Sequence, residues 1–265
     1  MMSSQPEGVG REVLFETVND HVAIVTLNRP GARNAVNANV ATAVDHLVER
    51  IEADDDIRVA ILASSHERVF CAGADLAEIS AGRGHLLSTE NGFAGLAYAP
   101  RTKPWIAEVG GFALAGGFEL VLSCDMIVAS TEAQFGLPEV KRGLYAGGGG
   151  VIRLPRALPR SIALELIATG DPMSAARASE LGLVNRLVRS TELRSAALAL
   201  AGAIAVNAPL SVRESLAVAR RAAEQTEIDA RAHSEAVAAR VFASEDAREG
   251  PIAFLEKRPA RWVGR

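Results

Sequence analysis

Between Arg58 and Ser64 the chain runs Val-Ala-Ile-Leu-Ala with no polar residue among them. A strand with one wet face alternates polar and apolar side chains. A short continuous apolar run instead marks a strand covered on both faces. Trp105–Val109, after Lys103-Pro104, reads as a further strand, and Met126–Ala129 as another buried one. Helical periodicity lies between these strands. Asn34–Ile51 spaces Val36, Val40, Val44, Leu47 and Ile51 at three and four residues, which predicts a helix. Leu86–Tyr98 reads as a helix-like stretch and Gly116–Ser123 as a helix. Strand and helix thus alternate without any sequence repeat, and right-handed crossovers stack such units into an α/β core. Ahead of them, Val13–Val18 and Val22–Leu27 flank the turn-type break Asn19-Asp20-His21 and predict a hairpin.

From about Ser161 the texture becomes helical. Ser161–Thr169, Ser174–Leu181, Glu192–Asn207, Leu210–Thr226 and Ile228–Phe242 are Ala-rich and amphipathic, with breaks at Gly170-Asp171-Pro172 and Ala208-Pro209. Ser244–Arg258 reads as a charged, turn-broken tail, with a solvated closing helix as the alternative. We divide the chain into a core over 1–205 and a C-terminal helical region over 206–265. A chain of 265 residues can bury a large core.

A net charge of −4 argues against a nucleic-acid or anionic-membrane surface. No apolar run approaches the roughly 18–20 residues of a spanning helix. The N-terminus has no apolar signal core, and Glu7 and Glu12 argue against a transit peptide, so a cytoplasmic location is expected. Cys71 and Cys124 lack disulfide-framework or zinc spacing and read as two reduced, buried thiols. The five histidines are scattered without metal spacing, and no metal is expected.

Chemistry is concentrated in two acids. Glu119 closes Gly-Gly-Phe-Ala-Leu-Ala-Gly-Gly-Phe-Glu over 110–119, and Glu139 closes Phe-Gly-Leu-Pro-Glu over 135–139. A carboxylate is costly to bury among apolar residues without a partner. Two such acids on successive turns suggest proton chemistry. Two plainer readings stay open. Glu119, three residues after Gly116, suits a first-turn acid that caps its own helix, and Glu139 suits a surface acid. The glycines lack both the G-x-G-x-x-G and the G-x-x-x-x-G-K-[ST] spacing of phosphate loops. They read better as places where backbone approaches a ligand closely. A helix opening near Gly116 leaves its first N–H groups unpaired, as an oxyanion hole requires. Phe70–Leu76 also follows a buried strand and offers a second donor. No G-x-S-x-G elbow is present.

These motifs, in order, resemble the enoyl-CoA hydratase/isomerase (crotonase) superfamily. The stations are Leu27-Asn28-Arg29-Pro30 with Asn34-Ala35, Phe70–Leu76, Gly110–Leu120, Cys124-Asp125, Ala133–Glu139, Ala178 to Asn185 and Glu249–Arg258. The closing Pro259–Arg265 and the Leu137–Lys141 segment look most like the crotonobetainyl-CoA hydratase branch. The resemblance implies a crotonase-like spiral of ββα units followed by a helical C-terminal trimerisation region, in a homotrimer or a dimer of trimers. It implies an enoyl-CoA hydratase of fatty acid and lipid metabolism, with isomerase or other acyl-CoA lyase chemistry as the alternative. A non-catalytic CoA-binding scaffold is the alternative from another class.

By the motif match, Ala74 and Gly116 supply oxyanion-hole amides. Arg33, Ala35, Ala72, Asp75 and Leu76 lie along the CoA arm. Phe254 and Lys257 approach the nucleotide, including that of a neighbouring subunit. Glu119 and Glu139 hold a water between them, and keeping both favours hydration. No cofactor is implied beyond the CoA that an acyl-CoA thioester carries. The chain departs from the family at Leu144-Tyr145-Ala146-Gly147, where Tyr145 reads as acyl-pocket lining or an added proton donor. It departs also at Phe118, assigned to the acyl pocket, where many short-chain hydratases are small.

Overall fold

The computed structural model describes residues 11–265. The N-terminal expectation resting on Glu7 lies outside the described residues.

The predicted hairpin is present as β1 (Val13–Val18) and β2 (Val22–Leu27), with Asn19 and Asp20 both at positive φ in the turn. Helix α1 spans Ala38–Ala53 and begins later than its apolar spacing predicts. Arg33 and Asn34 take left-handed backbone, φ 54° and 53°, which ends the preceding short 3₁₀ turn. Asn37 then caps α1, its Oδ1 accepting from Val40 N at 2.9 Å.

Two strands and then a helix recur. β3 (Val59–Ser64) and β4 (Val69–Cys71) lead to the short α2 (Leu76–Ser80). A two-residue hairpin of β5 (Ser88–Thr89) and β6 (Gly92–Phe93) follows. β7 (Trp105–Val109) and β8 (Phe112–Leu114) then lead to α3 (Gly116–Ser123). β9 (Met126–Ser130) and β10 (Gln134–Gly136) lead to a 3₁₀ turn over Pro138–Arg142, and α4 (Gly150–Ala157) and α5 (Arg160–Thr169) come next. β11 (Met173–Ser174), α6 (Ala175–Glu180) and β12 (Arg186–Val188) close the core.

The first strand of each pair joins a six-stranded sheet, ordered β1-β2-β3-β7-β9-β12. The second joins a four-stranded sheet, ordered β11-β10-β8-β4. The chain therefore spirals, adding one strand to each sheet per turn, as the ββα expectation requires. Apart from the hairpin, neighbours in the large sheet are parallel, and β3 is buried along nearly its whole length. One core fills the side of the large sheet that faces α1, α3 and the small sheet. A second lies on its other side, under α7 (Leu193–Ala205).

α8 (Pro209–Ala222) packs against α9 (Glu227–Ala243), and α10 (Glu245–Glu256) follows directly. The expected turn-broken tail is thus a helix, capped by Ser244 and carrying Pro251 inside it. Among the described residues no single helix is long and apolar enough to cross a membrane.

The helix-like reading of Leu86–Tyr98 is corrected. Gly92, Ala94 and Gly95 all have positive φ. A Cβ on Gly95 would stand 2.7 Å from the Ala41 carbonyl of α1, so this strap lies directly on that helix. Thr89 Oγ1 and Asn91 Nδ2 both donate to Asp45 Oδ1 of α1, at 2.9 and 2.8 Å.

Candidate active site

Two loops meet where β4 and β8 end. Gly73, at φ 95°, lies so close to the start of α3 that a Cβ there would be 2.8 Å from Ala115 Cβ and 2.9 Å from Gly116 N. The pairing of β4 with β8 also shifts register between Val69 and Cys71, an irregularity of the kind that re-aims a strand end beside a site. Val36 pairs with this loop through alternate groups: its N–H donates to Gly73 O and its carbonyl accepts from Asp75 N. The Ala74 N–H between them donates to no protein group among the described residues, and neither does that of Gly116. Gly116 is the first residue of α3, so its amide also carries the positive end of the helix dipole. The turn into that helix is made by Ala115 at φ 53° and ψ −130°, a conformation that costs a non-glycine residue about 1–3 kcal/mol.

Arg29 ties this region together. Its guanidinium donates to Glu12 Oε1 at 2.9 Å, to the Ala35 carbonyl at 2.6 Å and to Asp75 Oδ2 at 3.1 Å. Asp75 also caps α2, accepting from Ala77 N. The Asp75 carboxylate, expected along the CoA arm, is thus engaged in holding the loop that carries Ala74. Ala35 contributes through its carbonyl to the same brace.

The two amides open into a cavity of about 670 Å³, whose wall includes Arg33, Ala72, Ala74, Leu76, Gly116, Glu119, Glu139 and Tyr145. The structure therefore brings together both acids, both amides and most of the expected binding loop. It moves Phe118 elsewhere. That side chain is fully buried and packs on Phe135 with ring centroids 5.3 Å apart. Adjacent residues of a helix point about 100° apart, so Glu119 faces the cavity while Phe118 faces the core. Phe118 is a core residue, and its assignment to the acyl pocket is corrected. Phe254 lies on α10 and Lys257 caps its end, neither lines this cavity, and Phe254 is 83% exposed.

Glu119 does not cap its own helix. Its Oε1 accepts from Gly150 N at 2.9 Å, so it closes the N-terminus of α4. Burial pushes its pKa up, while the Gly150 and Gly148 amides and the Arg153 guanidinium pull the other way. Gly148 leaves the room this needs, because a Cβ there would be 2.8 Å from Glu119 Oε2. Glu139 is not a surface acid. It is 8% exposed, and its Oε2 is buried with no partner within the protein among the described residues. Burial raises its pKa to about 7, and the Glu119 charge adds to the rise. The two carboxyl groups thus sense one another and differ in how each is held.

Sequence reasoning missed several wall residues. Phe93 covers Gly116 so closely that a Cβ on the glycine would be 2.4 Å from the ring. Arg153 donates to Gly148 O at 2.9 Å and lies 4.8 Å from the centre of the Tyr98 ring, which also lines the cavity. Arg142, three residues after Glu139, stands on the same wall. The pairing of acids marked only the centre of the site.

Residues 17–265 match the family described as Enoyl-CoA hydratase/isomerase. The chain belongs to the enoyl-CoA hydratase/isomerase family. Among members of this family, carnitinyl-CoA dehydratase of Proteus mirabilis is 41% identical over 261 residues, covering 95% of this chain and 98% of the relative. The crystal structure of enoyl-CoA hydratase from Mycobacterium tuberculosis H37Rv superposes with a TM-score of 0.92 at 44% identity, over 97% of this chain and 100% of that one. Carnitinyl-CoA hydratase from Mycobacterium avium gives a TM-score of 0.76 at 42% identity, over 97% of this chain and 100% of that one. The spiral, the paired sheets and the C-terminal helices are those of the enoyl-CoA hydratase/isomerase fold.

Proposed function

We propose that this chain adds water across the 2,3 double bond of a trans-2-enoyl-CoA to give a 3-hydroxyacyl-CoA. It is a hydro-lyase of the crotonase type. The reading is carried by two buried carboxyl groups in unlike environments, facing the cavity into which two unpaired amides open.

The thioester oxygen rests on the Ala74 and Gly116 amides. As oxygen adds at Cβ, electron density moves toward that oxygen and both hydrogen bonds strengthen, which is where catalysis is gained. Glu119, steadied by the Gly150 amide, takes a proton from the attacking water. Glu139, which retains its proton up to about neutral pH, delivers it to Cα. The two titrate as one coupled site, so the proton gained by Glu119 returns to Glu139 through the pair before the next turnover. No cofactor takes part beyond the CoA of the substrate. Arg33, Ala72 and Leu76 lie along the CoA arm, and Tyr145, 73% exposed, forms the outer rim of the acyl side.

Exposed apolar side chains on α9 and α10, namely Ile228, Phe242, Phe254 and Leu255, support assembly as a homotrimer or a dimer of trimers. Phe254 and Lys257 then serve a neighbouring subunit's CoA. The protein acts in the cytoplasm.

The test follows the loss of conjugated-thioester absorbance with crotonyl-CoA and longer 2-enoyl-CoAs. Glu119→Gln and Glu139→Gln should each lower kcat by about 10²–10⁴. If no enoyl-CoA is hydrated while both variants keep some other CoA reaction, the reading fails.

A further inference from the structure

Arg153 stands in the first turn of α4, half-buried, and its guanidinium is turned onto backbone. Nη1 donates to Gly148 O at 2.9 Å and Nη2 donates to Ala97 O. Gly149 runs at φ 103°, and a Cβ there would stand 2.0 Å from Nη1. The Arg153 backbone N–H donates to Gly149 O at 2.9 Å. The chain over 148–150 is thus folded around one guanidinium. Helix α4 has no capping side chain at Gly149, and its Gly150 amide donates instead to Glu119.

Ala97, the other acceptor, belongs to the strap that lies on α1. The same strap supplies Phe93, which covers Gly116, and Tyr98, whose ring centre is 4.8 Å from the guanidinium. One side chain therefore joins the loop that holds the base to the strap that covers an oxyanion-hole amide. A planar guanidinium fork fixes the direction of each such bond, which a flexible ammonium does not.

Resting on the hydratase reading, we infer that Arg153 is a positioning residue for the base. It clamps Gly148 to the strap at Ala97 and so keeps the Gly150 amide on the Glu119 carboxylate.

Its charge acts in the same sense. Burial makes Glu119 harder to ionise, and the Gly150 and Gly148 amides and Arg153 oppose that. The other titratable or charged side chains around Glu119 are Glu139, Arg142, Arg33 and Tyr98 on the cavity wall and Cys71 behind α3. Burial holds the Cys71 thiol up to about 12, and Glu139 keeps its proton up to about neutral pH. Without Arg153, Glu119 should take up its proton at higher pH, and the acid limb of kcat/KM should move up with it.

The test measures kcat and KM for crotonyl-CoA across about pH 5 to 8.5 in wild type, Arg153→Met and Arg153→Lys. Met keeps an unbranched stem without charge or donors. Arg153→Met should lower kcat by about tenfold or more, keep KM within about threefold, and raise the acid limb by about one pH unit or more. Arg153→Lys restores the charge without the fork. Its acid limb should return to within about half a pH unit of wild type while kcat stays several-fold low. An acid limb that stays in place in Arg153→Met, or a wild-type kcat in Arg153→Lys, overturns the inference. Should Arg153→Met fail to fold, the kcat of Arg153→Lys decides by itself.

The infrared C=O band of the protonated Glu119 carboxyl, assigned by its loss in Glu119→Gln and followed against pH in the free protein, reads the same shift without turnover. If no thioester is hydrated but Arg153→Met moves that band to higher pH, the hydratase reading falls and the positioning role stands. If wild type hydrates crotonyl-CoA but neither band nor limb moves in Arg153→Met, the reverse is true.

Discussion

Replacing Glu139 by Gln isolates the cost of keeping an acid in this site. The carboxyl is 8% exposed and its pKa stands at about 7, against 4.5 for the same group in water. The folded protein thus binds this proton more tightly than the unfolded chain does. That stability is fully present below about pH 4.5 and is lost as pH rises through about 7. Once the acid is ionised, the loss amounts to about 3 kcal/mol. Gln keeps the neutral shape and cannot ionise. Equilibrium urea unfolding of wild type and Glu139→Gln, at one protomer concentration and across about pH 5 to 8.5, measures the difference. The two should agree within about 1 kcal/mol at the acid end. The variant should be more stable by about 2–3 kcal/mol at the alkaline end, although hydration is lost. The same proton sets the activity limit, so kcat/KM should fall above about pH 7 in the wild type. A stability gap that does not change with pH refutes the assignment of Glu139 as the buried proton carrier.

Three further predictions concern the frame. Gly148→Ala places a methyl 2.8 Å from Glu119 Oε2 and should lower kcat by about tenfold or more and destabilise by about 1–3 kcal/mol, since the buried Glu119 carboxyl must leave the Gly150 amide. Phe118→Ala should destabilise by about 3–5 kcal/mol in urea unfolding, yet leave the ranking of acyl-chain lengths unchanged, because the ring lies against Phe135 in the core. Arg29→Met releases Asp75 and the loop carrying Ala74. It should lower kcat by about tenfold with KM within about threefold, and reduce the red shift of a bound cinnamoyl-CoA chromophore that reports carbonyl polarisation. Equal red shifts in the two proteins would place the brace outside catalysis.

What the sequence made legible follows from which forces act locally. The strand at Val59–Ser64 was readable because burial on both faces requires a continuous apolar run. Glu119 and Glu139 were readable because acids are rare in apolar surroundings. The strap over residues 84–98 was not. Its Leu87, Ala94 and Ala97 mimic a helical period, but its path is set by contact with α1 and by positive φ at Gly92, Ala94 and Gly95. The same misreading concealed Phe93 as a wall of the site. Phe118 and Glu119 are neighbours in sequence, and only the orientation of α3 between the sheets decides which faces the cavity. Glu119 as a cap was a sound expectation of the residue and a wrong one of the helix, since Gly150 is brought to it from α4 by packing alone. Arg142 carries no local signal, because its place on the wall comes from the turn that Glu139 opens.

The central claim is that one water is split across one double bond by this pair of acids. A trans-2-enoyl-CoA incubated with the protein in water enriched in heavy oxygen and deuterium, with the product read by mass spectrometry, tests it directly. One heavy oxygen at Cβ and one deuterium at Cα, both lost in Glu119→Gln and in Glu139→Gln, is the predicted result. A product that shifts its double bond and gains no oxygen contradicts it.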